Sequence, residues 1–205
     1  MDFDAIRDEV TTTLDATYRA REIGLTNCRK VIRLSANSIR SLHRNETVQA
    51  EVLMGEAEEL LVEAISVLAE FPAILHAGFV HDAAKEYAEA RLTAALGSGS
   101  AVPGPADLGV AVPAYLNGLG EAVGEMRRRM LDRLRADDLE GGENALETMD
   151  VVIELLASLD YPDGMTGGLR RTTDVARALA ERSRSDLTTT MVQERLRADL
   201  RRSGK

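Results

Sequence analysis

The chain has 205 residues, 44% hydrophobic, with a formal net charge of −9. Aromatics make up only 3%, without tryptophan, so alanine- and leucine-packed helices are favoured over a β-sandwich. One cysteine excludes an internal disulfide and a cysteine-rich zinc site. No apolar run approaches the ~18 residues of a membrane span, and the acidic start MDFDAIRDEV is unlike a signal peptide. A cytoplasmic protein with no membrane partner is expected.

In chain order, residues 3 to about 45 read as one long helix and VQAEVLMGEAEELLVEAISVLAEF as a second, ending near Pro72. A third is expected from Pro72 to about Leu96. The stretch GSGSAVPGPADLG carries every local loop signal. A fourth helix covers VPAYLNGLGEAVGEMRRRMLDRLRADD and a fifth NALETMDVVIELLASLD. YPDGMTGG is a turn, and LRRTTDVARALAERSRSDL opens a C-terminal helix or helix pair. With no alternating strand pattern and no repeat, the expected fold is all-α, a single-domain bundle of six or seven helices over 1–205.

On the first helix, Arg29, Arg33, Arg40 and Arg44 are spaced by 4, 7 and 4 residues. They fall within about 60° of one another at roughly 100° per residue, a ladder ~22 Å long at 1.5 Å per residue. Val31, Leu34 and Leu42 take the opposite side. A solvated basic face paired with acids is the ordinary reading, yet none of the four arginines has a carboxylate at i±3 or i±4. Phosphate is the natural partner of such a stripe, because guanidinium forks bind its oxygens bidentately.

In HDAAKEYAEARL, Asp82, Glu86 and Glu89 share a helical face. Glu86 borders the packing side set by Phe79, Ala83, Tyr87 and Ala90, where a carboxylate needs a partner, a proton or a cation. Lys85 or Arg91 could supply a salt bridge. On the fourth helix Glu121 and Glu125 are four apart, and the residues alone favour an exposed polar face with Arg128 beside it. Gly118, Gly120 and Gly124 interrupt this helix at about 1 kcal/mol each against alanine. That cost is easiest to understand where a backbone or ligand comes close. No Glu-x-x-His pair exists for a di-iron site. All-oxygen ligation suits Mg²⁺ or Mn²⁺, and no phosphate-binding loop or nucleophile motif is present.

The segments CRKVIRLSANSIRSLHR, KEYAEA and PAYLNGLGEAVGEM together resemble the translin family, particularly translin-associated factor X (Trax) and its archaeal relatives. The resemblance runs from about Arg21 to the C-terminal helix. It implies about seven helices, a hollow octamer binding single-stranded RNA or DNA, and, in Trax-type subunits, a Mg²⁺-dependent endoribonuclease. By position it assigns metal ligation and catalysis to Glu86, Glu89 and Glu121, with Glu125 as a further acid. Glu121 stands where the family pattern has aspartate. Arg29, Arg33, Arg40, His43 and Arg44 become candidate nucleic-acid contacts, and a second, paralogous subunit is a possible partner. A non-catalytic translin-like binding protein is the alternative. An all-α nucleotide pyrophosphohydrolase ranks last, because EELLVE has one residue too many for its E-E-x-x-E motif.

Overall fold

The computed structural model describes residues 3–203, and among them there are eight α-helices and no strands. Six are long: α1 (Phe3–His43), α2 (Thr47–Leu68), α4 (Phe79–Ser98), α5 (Val112–Arg135), α6 (Leu139–Ala157) and α8 (Leu169–Ser203). Two are single turns, α3 (Pro72–Leu75) and α7 (Asp163–Thr166). No described helix is long and apolar enough to cross a membrane.

The first two helices fold back on each other through a turn at Asn45, which takes φ 59°, a left-handed conformation that asparagine tolerates better than most residues. At the far end of this hairpin Leu68 lies against Gly24, where a Cβ would be 2.6 Å from Leu68 Cδ1. Helix α4 packs across both, α5 packs on α4, and α6 and α8 close the other side of α5. Tyr87, Leu92, Met126, Met130, Met149 and Leu156 are fully buried where these helices meet. Full burial of such side chains contributes about 1.5–3 kcal/mol each. Cys28 is buried as well, and desolvation pushes its thiol up to about 11.

Two boundaries differ from the sequence expectation, each for a local reason. The helix expected from Pro72 is cut at Gly78, whose φ of 93° no helix accommodates, so α4 starts at Phe79. Helix α6 starts at Leu139, several residues before Asn144, because Asp138 caps it by accepting the Gly141 amide at 2.9 Å. Of the two forms expected for the C-terminal segment, a helix or a helix pair, the structure has the single helix, 35 residues long.

Where α4 and α5 cross, their backbones come into near contact at Gly118. A Cβ on Gly118 would lie 2.7 Å from the Lys85 carbonyl oxygen and 2.9 Å from the Glu89 nitrogen. Gly120 plays the same part toward α8, where a Cβ would meet Thr172 Cγ2 at 2.3 Å. Gly124 has no such neighbour: its nearest contact would be Leu179 Cδ1 at an ordinary 3.7 Å. Two of the three glycines are therefore required by packing. Replacing Gly118 by alanine should cost about 1–3 kcal/mol through overpacking, whereas Gly124→Ala should be neutral or stabilise by up to about 1 kcal/mol. Urea denaturation of the two variants checks the contrast; equal effects would refute it.

Candidate metal centre and nucleic-acid face

Glu86 and Glu89 lie three residues apart on α4, and the Gly118 crossing brings Glu121 of α5 against them. One carboxylate oxygen from each of the three can be chosen so that all lie within 4.8 Å. Opposite vertices of a Mg²⁺ octahedron are separated by ~4.2 Å, so a small inward movement of flexible side chains would let them share an ion. The donor set is all oxygen and of the hard type that Mg²⁺ and Mn²⁺ take. Glu89 is the most deeply set, Glu86 is intermediate and Glu121 is open to solvent.

Lys85 sits among them. Its Nζ donates to Glu121 Oε1 and Oε2 at 2.7 and 2.6 Å and stands 3.1 Å from Glu86 Oε1. Burial alone would lower the Lys85 ammonium, but the hydrogen bonds and charges of Glu121 and Glu86 carry it above the ordinary lysine value. The one ammonium does not offset the acids. Glu89 is pushed up to about 8, first by desolvation and then by the charges of Glu121, Glu86 and Glu125, with Lys85 only partly opposing them. A carboxyl in this condition holds a proton for want of a stronger cation. Arg91, the other candidate partner of Glu86, is engaged elsewhere. It bonds Glu58 and Glu51 of α2 at 2.8 and 2.5 Å and also donates to the hydroxyl of Tyr87.

Glu125 lies one turn beyond Glu121 and faces a different partner: His43 Nε2 is hydrogen-bonded to its Oε2. That contact, more than any other influence, holds Glu125 below the usual carboxylate range. The His43 side chain is only 8% exposed, so it stands apart from the surface arginines with which the sequence groups it. A contact across 82 residues left no sequence signal. Asp82 is exposed, outside the group of three.

Arg29, Arg33 and Arg40 lie exposed on α1, opposite the buried Val31, and Arg44 lies exposed in the turn just after His43 ends the helix. Arg29 and Arg33 form no ion pair among the described residues, and Arg40 donates to the neutral Asn37. Arg44 differs from the rest. Beyond the helix end, Glu46 reaches back to its guanidinium at 2.8 Å, so the stripe carries three uncompensated charges rather than four. On the other side of α5, a cavity of about 440 Å³ runs past Glu89, Gly120 and Glu121 to Arg171 and Thr172 of α8.

No family model matches the sequence. An uncharacterized protein of Methanocaldococcus jannaschii is 27% identical over 184 residues, covering 89% of this chain and 81% of that protein. Among solved structures, AfC3PO in a duplex RNA complex superposes with a TM-score of 0.84 at 34% identity, covering 91% of this chain and 96% of that one. A crystal structure of AfC3PO itself gives 0.83 at the same identity, covering 91% and 97%. C3PO chains are translin and Trax components. The chain belongs to the translin family. Apo-NeC3PO, at 21% identity and a TM-score of 0.78 over 92% and 97% of the two chains, shares the fold.

In this translin-family chain the raised Glu89 makes stability depend on pH. Below the ordinary carboxylate value of 4.5, folded and unfolded chains both hold the proton. Between there and about 8 only the folded chain does, so Glu89 makes stability fall as pH rises through that window. In chelator, Glu89→Gln should lose less stability between pH 6 and pH 8.5 than the parent. Urea midpoints at the two pH values measure this, and parallel losses would contradict it.

Proposed function

We propose that this translin-family chain binds single-stranded RNA or DNA along α1 and cleaves RNA at the Glu86–Glu89–Glu121 group with a divalent metal, Mg²⁺ or Mn²⁺. The observation that carries the reading is the convergence of three carboxylates from two helices, one oxygen of each lying within 4.8 Å of the others. A bound divalent ion would supply activation of water for in-line attack and charge stabilisation on the phosphoryl oxygens. The chain's own residues do the rest. Glu86, Glu89 and Glu121 would hold the ion. Arg29, Arg33 and Arg40 lay the strand along α1 through its phosphates. Glu125, fixed by His43, adds negative charge beside the site. The duplex RNA in the AfC3PO complex supports nucleic acid as the ligand class and makes duplex substrates a required arm of the assay.

One observation favours the non-catalytic alternative. The ammonium of Lys85 already bridges Glu86 and Glu121, as a purely structural salt bridge would. The two readings part in a simple assay. Wild-type protein should cut a labelled single strand in Mg²⁺ and not in EDTA, and the Glu86→Ala, Glu89→Ala double variant should bind RNA but not cut it. Cleavage by the double variant at the wild-type rate, or none by the wild type under either condition, would sink the nuclease reading.

Assembly into a homo-oligomer, an octamer on the family pattern, is part of the same proposal. Its support is an uncovered apolar stripe on the first turns of α1, where Phe3, Ile6, Val10 and Leu14 recur at helical spacing and Phe3 is 68% exposed. Val192, Leu196 and Leu200 repeat the pattern near the end of α8. Binding to RNA should weaken steeply with salt. Removing Arg29, Arg33 and Arg40 together should flatten the slope of log K against log salt by about 2, at about 0.7 per phosphate contact on a single strand. An unchanged slope would place the nucleic acid elsewhere, and a mass of one 22.3 kDa chain in light scattering would contradict the assembly.

A further inference from the structure

The cavity beside the acid group has a charged wall that neither the metal nor the α1 stripe uses. Arg171, in the first turn of α8, lines it together with Glu89 and Glu121. Its side chain is exposed, and its guanidinium makes no hydrogen bond or ion pair among the described residues. Asp163 and Asp174 line the groove on its other side without bonding it. The position of Arg171 is fixed by its neighbour. Thr172 donates its hydroxyl to Asn117 Oδ1 at 2.6 Å, and its methyl group fills the space that a side chain at Gly120 would need. Asn117 in turn donates to the carbonyls of Thr166 and Gly167, which fixes the approach to α8. The start of α8 is thus docked on α5 one turn from Glu121. With the hydroxyl of Thr172 committed to Asn117, Arg171 is the cationic group on that wall.

A cavity of about 440 Å³ shared by carboxylates and a free guanidinium is suited to a particular ligand. The volume lies at the small end of ligand sites, about one nucleotide unit. An anion is repelled by the acids unless a divalent cation covers them, and it is attracted by the arginine. A phosphodiester meets both conditions, since one oxygen can face the cation while another takes the guanidinium fork. Val175 and Leu179 on the same α8 face offer apolar surface to the sugar or base beside it.

We propose that Arg171 holds the phosphodiester that is cut, gripping it from α8 in the cavity it shares with Glu89 and Glu121. This rests on the reading of those carboxylates as a divalent-cation site. It makes the reacting phosphate's subsite separate from the α1 stripe, which holds the length of the strand.

The test uses a 5′-phosphorylated dinucleotide, too short to span the α1 ladder, titrated into full-length protein in Ca²⁺ and followed by calorimetry. Wild-type protein should bind it saturably. Arg171→Ala should weaken binding about 10- to 100-fold, the worth of a charge-assisted bond. Arg171→Lys should recover part of the loss, because lysine keeps the charge without the fork. Arg33→Ala should leave dinucleotide binding unchanged while weakening binding of a long single strand. Because Arg171 is exposed, the thermal midpoints of the Arg171 variants should match the wild type. Wild-type affinity in Arg171→Ala, or no saturable binding by the wild type, would overturn the proposal. In parallel, Arg171→Ala should lower kcat/KM for RNA cleavage, with guanidinium in solution restoring part of it. A wild type that binds the dinucleotide but cuts nothing in Mg²⁺ would refute the nuclease reading and leave Arg171 as a phosphate-binding residue.

Discussion

With hydrogen for a side chain, Gly118 lets the backbone of α5 rest almost on the backbone of α4, closer than any residue with a Cβ could allow. The candidate site depends on that contact. Glu86 and Glu89 belong to one helix and Glu121 to another, and carboxylates on neighbouring helices at usual interaxial distances of 8–10 Å have no reason to converge. The Gly120 contact with Thr172 repeats the device one helix further on, drawing α8 against the opposite side of α5. Backbone and side-chain bonds then hold the arrangement: Asn117 ties α5 to the turn before α8, and Arg127 bonds Ser183 and Asp186 of α8 at 2.9 and 2.8 Å. Helix propensity is given up at two positions, and convergence of charge is gained.

That convergence is electrostatically unfavourable in the absence of a cation. Three carboxyl groups share a site with one ammonium, and the most deeply set of them responds by keeping its proton. A divalent ion at this group would compete with Lys85 for the same oxygens of Glu86 and Glu121. A doubly charged ion at ~2.1 Å from its ligands interacts more strongly than an ammonium at hydrogen-bond distance, and Lys85 has a long flexible arm with which to withdraw. The site is also tied to the basic face. His43 in the last turn of α1, between Arg40 and Arg44 in sequence, bonds Glu125 one turn past Glu121. The helix that carries the arginines and the helix that carries the third acid are thus joined directly.

Much of this was legible in the residues. Periodicity and the loop chemistry of GSGSAVPGPADLG give the long helices, and the shared faces of the arginines and of Glu86 with Glu89 follow from a spacing of three or four. The costly glycines of α5 pointed to a close backbone, and at Gly118 one is there. Gly124 shows the limit of that argument, since a glycine with room around it looks the same in sequence as one without. Long-range pairings left no trace. Nothing near His43 points to Glu125, and Lys85 shows its position only once Glu121 arrives from another helix. The Glu46 that quiets Arg44 was hidden by a rule framed for residues within one helix, because it acts from beyond the helix end. Arg171 was indistinct for a related reason: in an arginine-rich C-terminal helix only the docking of Thr172 on Asn117 singles it out.

If the α4–α5 crossing builds a divalent-cation site and not merely a salt-bridged cluster, manganese should bind there. Anomalous diffraction at the manganese edge, from crystals grown with Mn²⁺ near pH 8, tests it most directly. A peak should lie bonded to oxygens of Glu86, Glu89 and Glu121 with the Lys85 ammonium displaced, and no such peak should appear in Glu89→Gln crystals. Crystals in which no manganese lies among these carboxylates, with Lys85 still bridging Glu86 and Glu121, would contradict it.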